Sequence, residues 1–204
     1  MLINPYIISS SGGGGCAPIQ GLIQTPTQGT SNEVKFPFYG LYDFSYTAVL
    51  FLPSDMGDGV SEKQLTTLGV QLANYPNGYS KDNQEIWFGM TGITSFSNGI
   101  TIANLQNSLI DYAQVKDSFT FNVSSFDGFY DITLDIPYCY DGTKSLVVIW
   151  RNYDGDYNTN NGWCESLSTS GQYRSLHLYQ DNFFPSDAAT LTRLARRMNY
   201  RFGY

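Results

Sequence analysis

Charge is scarce in this 204-residue chain: Asp, Glu, Lys and Arg make 14% of it, against about 25% in an ordinary soluble domain. Basic residues are the scarcer kind, 11 Lys and Arg facing 18 Asp and Glu, and the net charge is -7. That sign repels a phosphate backbone and gives no broad attraction to anionic lipid, which argues against nucleic acid as a partner. Cysteine is limited to Cys16, Cys139 and Cys164, which show no metal-ligand spacing. An odd count does not suggest a disulfide framework, and a reduced, cytoplasmic place of synthesis fits it, although Cys139 and Cys164 could meet across strands. Histidine occurs once, at His177, with no Gly-x-Ser-x-Gly elbow to supply a nucleophile, so no catalytic role is expected of it. No apolar run approaches the ~18 residues of a membrane span. The first residues, 1–11, lack the basic start and apolar stretch of a secretion signal.

Aromatic residues are abundant: 16 Tyr, 13 Phe and 3 Trp, with 20 Gly and 8 Pro to supply turns. Tyr and Phe suit a pleated, half-buried surface, so the composition reads as all-β. The length fits one domain with appendages. Residues 1–31 differ from the rest. Ile3, Pro5, Tyr6, Ile7 and Ile8 form a short apolar segment, and a Ser/Gly tract ending in Gly12 to Gly15 and a Gln/Thr/Pro-rich stretch follow. This reads as an extended N-terminal anchoring arm with a flexible linker, not as a phosphate loop, because no Lys-Ser/Thr pair follows the glycines.

Residues 32–204 read as strand, turn, strand. Tyr46 to Leu52 is a β-rich run, and Leu68, Val70 and Leu72 alternate with polar neighbours before the turn Tyr75-Pro76-Asn77-Gly78. Ile86, Phe88 and Met90 alternate with Glu85 and Trp87. Phe119, Phe121 and Val123 share a face, as do Tyr130, Ile132, Leu134 and Ile136, and the Asp127-Gly128 step between these two runs predicts a hairpin. Leu146 to Trp150 is apolar without interruption, as in a mid-sheet strand covered on both faces. Tyr173 to Gln180 and Met198 to Phe202 read as further strands. Ser186 to Arg197, with a Ser cap and Ala188, Ala189, Leu191, Leu194 and Ala195, predicts a short C-terminal helix. Eight to ten short strands imply a two-sheet antiparallel sandwich of jelly-roll type, roughly in the manner of other all-β domains of this size.

The segments 36–57 (FPFYGLYDFSYTAVLFLPSDMG), 65–72 (LTTLGVQL), 84–98 (QEIWFGMTGITSFSN) and 132–150 (ITLDIPYCYDGTKSLVVIW) resemble a β-sandwich module of Bacteroidetes surface proteins, of the adhesin and MAM-like type. The pattern Pro137, Tyr140, Asp141, Gly142, Leu146 is its most specific part. Bacterial members of that group are parts of secreted multi-domain chains, whereas this sequence carries a short arm and no leader. The resemblance therefore implies such a module carried on a virion protein of a phage infecting Bacteroidetes, the crAss-like group among them. The expected function is a head fibre, capsid decoration or tail accessory subunit made in the host cytoplasm, docked on other virion proteins through the arm and homo-oligomeric. The alternative is a carbohydrate-binding or adhesin module recognising host-surface glycans.

Three groups of residues are candidate contacts. Asp154, Asp156, Asn158, Asn160 and Glu165 stand at the spacing of oxygen ligands in a Ca2+-binding loop, although Thr159 occupies the position where such a loop has glycine, and Asp and Asn also make plain turns. Trp87, Tyr153, Tyr157 and Trp163 are candidates for stacking on a glycan or a protein partner, the alternative being aromatics that finish the sandwich core or cap its ends. Arg193, Arg196, Arg197 and Arg201 form a candidate basic patch for an acidic neighbour, the alternative being a solvated helix face. The carboxylates of Asp131 and Asp135 share one strand face, which fits a solvated surface better than a glycosidase pair.

Overall fold

The computed structural model describes residues 16, 21–25, 28–57, 61–123, 126–159 and 162–204. In chain order the strands are β1 (Leu22–Gln24), β2 (Ser31–Glu33), β3 (Phe44–Phe51), β4 (Lys63–Tyr75), β5 (Tyr79–Thr91), β6 (Ile110–Val123), β7 (Phe126–Tyr140), β8 (Ser145–Asn152), β9 (Trp163–Ser168), β10 (Ser175–Gln180), β11 (Thr192–Leu194), β12 (Arg196–Met198) and β13 (Tyr200–Gly203). A 3-10 turn at Pro53–Asp55 follows β3, and one short helix, α1 (Ile102–Asn107), follows β5. The protein is all-β, built of two antiparallel sheets. In the first, β4 pairs with β7 on one side and with β13 and β9 on the other, β1 extends β13, and β2 and β12 pair with β9. The second runs β11-β10-β3-β8-β5-β6.

Alternation along each strand assigns the core. Val49 and Phe51 of β3, Ile86, Phe88 and Met90 of β5, Phe121 of β6 and Leu146, Val148 and Trp150 of β8 face inward. They meet Leu68, Val70 and Leu72 of β4, Ile132 and Leu134 of β7, and Tyr200 and Phe202 of β13 across the gap between the sheets. Leu65 and Leu68, three apart, both point inward because a bulge between Leu65 and Thr67 resets the parity of β4. The opposite parity of the second sheet is also buried. Tyr46, Ala48, Leu50, Val147, Ile149 and Leu176 pack beneath Phe96, Leu191 and the Ile102 and Leu105 side chains of α1. This roof explains the unbroken apolar run of β8, which lies between β3 and β5 with both faces covered.

Three expectations are corrected. The runs around Asp127-Gly128 are consecutive strands, but they do not pair: β6 bonds to β5 in one sheet and β7 to β4 in the other. Each run needs to bury its apolar face in the shared core, and crossing between sheets satisfies both runs where a flat hairpin would put them in one layer. The edges are linked instead by Lys116 Nζ donating to Asp135 Oδ1 at 2.6 Å. Residues 186–197 form no helix. The carbonyls of Asp187 and Ala189 accept the first N–H groups of α1, from Ala103 and Ile102 at 2.9 and 3.1 Å, and the chain continues into β11 and β12. Tertiary pairing here overrides a locally helical pattern. Cysteine is also paired: Cys16 forms a disulfide with Cys139, 123 residues away, with Cα atoms 5.9 Å apart, and buried Cys164 is a free thiol that does not meet Cys139. Spacing in sequence carries no information on a bridge of that reach.

Strand direction defines two poles. Residues 36–43, 76–83, 153–159 and 181–184 all lie at one end, because β3 and β5 begin there and β8 and β10 end there. At the other end lie Cys139 near the close of β7, paired with Gln64 at the start of β4, and therefore Cys16. Cys16 and β1 fall within the expected arm, so the described part of it is already joined to the body. Ile3, Pro5, Tyr6, Ile7 and Ile8 lie outside the described residues.

Near the disulfide pole, Asp55 ties the sheets together. Its carboxylate accepts from Arg174, at the start of β10, from Arg197 of β12, and from the Leu52 N–H at 2.8 Å. All three charged side chains are buried. Asp55→Ala leaves two buried guanidinium groups without their anion and lowers unfolding free energy by about 3–5 kcal/mol, measurable by urea denaturation.

Candidate functional site

The loop pole is built outward from Trp150. Its indole Nε1 donates to Gln84 Oε1 at 2.8 Å, and Gln84 Nε2 donates to Asn152 Oδ1 and to the Asp82 carbonyl. Asn152 in turn accepts from the Asp154 N–H at 3.2 Å and donates to the Asp43 carbonyl at 3.3 Å. Gln84 and Asn152 are fully buried and Trp150 nearly so. A satisfied buried amide chain of this kind has one geometry, so the core fixes where the loops begin.

Lys81 continues the construction. A register shift between Lys81 and Gln84, where Asn83 takes φ +52°, interrupts the β5 ladder. The Lys81 side chain is 2% exposed, and its ammonium donates to Asp154 Oδ2 at 2.8 Å and to the Asp156 carbonyl. Asp154 Oδ1 accepts the Asp82 N–H at 2.6 Å. Gly155, at φ +76°, turns the loop so that its N–H reaches the Asp43 carbonyl at 3.0 Å, and Asn158 N–H reaches the Gly40 carbonyl at 2.7 Å. Ser80, Lys81, Asp82, Asn83, Asp154, Asp156, Tyr157 and Asn158 surround a polar cavity of about 330 Å3.

The candidate Ca2+ ligands are thus only partly gathered. Asp154, Asp156 and Asn158 line the cavity, Glu165 lies on β9 opposite Asn32, and Asn160 is outside the described residues. An ammonium already draws the Asp154 carboxylate and the Asp156 carbonyl together, the task the sequence pattern assigns to a cation.

The aromatic candidates separate. Tyr157 is 61% exposed at the cavity rim. Tyr153 is half-buried and stacks on Phe184 at 4.0 Å, and burial raises its hydroxyl pKa. Trp87 is packed on the outer face of the second sheet, stacked on Tyr112 at 5.0 Å, with the Arg151 guanidinium 4.4 Å from its ring centroid and its Nε1 donating to Glu85. Trp163 opens β9 in the other sheet.

The arginines separate too. Arg193 lies 3.7 Å over the Tyr173 ring, Arg196 faces Glu33 at 4.0 Å, Arg197 is held by Asp55, and Arg201 Nε donates to Asp131 at 2.8 Å. Each has an intramolecular partner, and Arg197 is buried.

Sequence reasoning did not single out Lys81 or the tyrosines of the 37–43 loop. Tyr39, Tyr42 and Tyr179 form a half-buried three-ring cluster, with centroid separations of 5.3, 4.7 and 4.4 Å. Tyr39 and Tyr42 flank Gly40 and Leu41, a visible local signal, but Tyr179 joins them only through the pairing of β3 with β10. His177, on the same strand, is 7% exposed between the rings of Phe36 and Tyr179. Burial, with a smaller contribution from Lys35, pushes its pKa down to about 4.

No family model matches the sequence, and no curated protein matches it. A solved structure of the cysteine protease and lectin-like domains of Cwp84, a surface layer associated protein of Clostridium difficile, aligns with 78% of this chain at 12% identity and a TM-score of 0.40. The aligned part is 31% of that chain, so the present sequence spans about a third of its length. A likeness of that grade carries no argument. The fold and the loop pole define the class alone: an all-β, two-sheet protein with its polar and aromatic loops gathered at one end.

Lys81→Met leaves Asp154 without its cation and lowers stability by about 3 kcal/mol, while a chelator leaves the wild-type melting temperature unchanged. Both are read by thermal denaturation. His177 stays neutral in the fold, so between about pH 6.5 and pH 4 the unfolded chain binds a proton that the folded chain refuses. Stability therefore falls with pH across that window, by on the order of 2 kcal/mol, and His177→Gln flattens the fall in urea titrations at each pH.

Proposed function

We propose that the chain is a structural subunit of a phage particle, a head fibre, capsid decoration or tail accessory protein that docks on other virion proteins through its N-terminal arm and displays the sandwich. The observation that carries this reading is the separation of the poles. Cys16, through which the arm enters the body, is bonded to Cys139 at one end, and the loops that hold the cavity and the tyrosine cluster lie at the other. Anchorage at the first end directs the second away from the particle surface.

The apolar residues Ile3, Tyr6, Ile7 and Ile8 supply the contact, since burying apolar surface yields roughly 25 cal/mol per Å2. The glycines 12–15 supply the reach between that contact and Cys16. A homo-oligomer strengthens weak single contacts by raising effective concentration. The disulfide suits a particle that persists outside cells, where thiols oxidise, after synthesis in the host cytoplasm. The jelly-roll order of strands belongs to the same reading, as does the relation to adhesin-type modules.

Deleting residues 2–15 keeps Cys16, β1 and the whole body. The truncated protein melts at the wild-type temperature and fails to enter particles assembled in its presence, as followed by sedimentation and immunoblotting of purified particles. Undiminished incorporation contradicts the assignment of the arm.

A further inference from the structure

We infer that the loop pole is a binding site for a neutral carbohydrate. Two features converge on the segment 39–43. On one side is the cluster of Tyr39, Tyr42 and Tyr179, three rings within 5.3 Å of one another, each half-buried and so each keeping surface toward solvent. On the other side runs the loop 154–158, bonded to the Gly40 and Asp43 carbonyls, which carries the exposed Tyr157 ring and forms the wall of the 330 Å3 cavity. That volume lies at the small end of the ~300–1,000 Å3 typical of small-molecule sites, enough for a short oligosaccharide.

The chemistry matches a sugar from both directions. Aromatic faces desolvate the C–H faces of a pyranose, and tyrosine adds a hydroxyl at the rim. The cavity supplies carboxylates and side-chain amides, from Asp82, Asn83, Asp156 and Asn158, that accept from and donate to sugar hydroxyls. Its walls do not have to be ordered on binding. Lys81 and the Trp150-Gln84-Asn152 chain already hold the loop, and Asn182 N–H to Asp43 Oδ2 at 3.1 Å fixes the neighbouring turn. A preorganised wall saves the ordering cost that weakens flexible binders.

Charge selects within the class. Asp43, Asp82, Asp154, Asp156 and Asp181 gather at this pole, and Lys81, the cation in the cavity wall, is buried and already bonded to Asp154. Sulfated, sialylated and uronic acid glycans therefore meet repulsion that an uncharged glycan does not. The same field disfavours nucleic acid, and the polar cavity lining disfavours an apolar protein surface. This inference does not depend on the arm: it concerns the purified body as well as any particle that carries it.

The test is an array of neutral and acidic oligosaccharides probed with the fluorescently labelled full chain, with Kd for the best neutral glycan measured by titration calorimetry. Binding to neutral glycans is expected, at least about tenfold tighter than to their sialylated or sulfated counterparts. Tyr157→Ala and Asp156→Asn are each expected to weaken it by about tenfold, with unchanged melting temperatures. Absence of binding to every neutral glycan, a preference for acidic ones, or equal affinity in Tyr157→Ala would overturn the inference.

Discussion

The buried ammonium of Lys81 is the constraint on which the loop pole depends. It sits at the end of a strand whose inward parity demands an apolar residue, and it is tolerated there because Asp154 and the Asp156 carbonyl accept its protons. A buried charge without partners costs several kcal/mol, so the loop cannot move away from Lys81 without a large penalty. The amide chain from Trp150 through Gln84 to Asn152 fixes the strands that Lys81 then joins to the loop. Rigidity at the pole is therefore inherited from the aromatic core through these contacts.

The second constraint is topological. The chain passes between sheets at the turn after β4 and again between β6 and β7, so consecutive runs of sequence face each other across the core rather than lying side by side. This gives the inter-sheet space its density of rings, with Phe121 within 5.0 Å of Phe38 and 4.8 Å of Tyr130 by centroid. Both crossings fall at the loop pole, since Tyr79 pairs with Val123 and Tyr75 with Phe126. At one pole Cys16 and Asp55 bind segments far apart in sequence, and at the other short hydrogen bonds among loops make a wall with rings at its rim.

The all-β class and most strands were legible in the sequence, because period-two alternation reports burial directly: β5, β8 and β10 fall where alternation or an unbroken apolar run places them. What alternation does not report is which sheet a strand joins. Phe119 to Val123 and Tyr130 to Ile136 have the pattern of hairpin arms, and the same pattern serves two strands that face each other. The stretch from Ser186 to Arg197 has helical spacing, and its backbone is claimed instead by α1 and by β9. At the site, Asp154, Asp156, Asn158 and Tyr157 could be found from local spacing. Lys81 and Tyr179 could not, since their meaning comes from contacts 73 to 140 residues away, Lys81 with Asp154 and Tyr179 with Tyr39. The Cys16 to Cys139 bridge is of the same kind.

Display from one pole with recognition at the other is the claim that joins these features. A subunit-resolution cryo-electron microscopy reconstruction of an intact particle carrying this protein tests it most directly. The map should place the Cys16 to Cys139 end against a neighbouring virion protein and the loops around Tyr157 toward solvent. A subunit seated with Tyr157 and Tyr42 buried against its neighbour, and the disulfide end pointing outward, would contradict it.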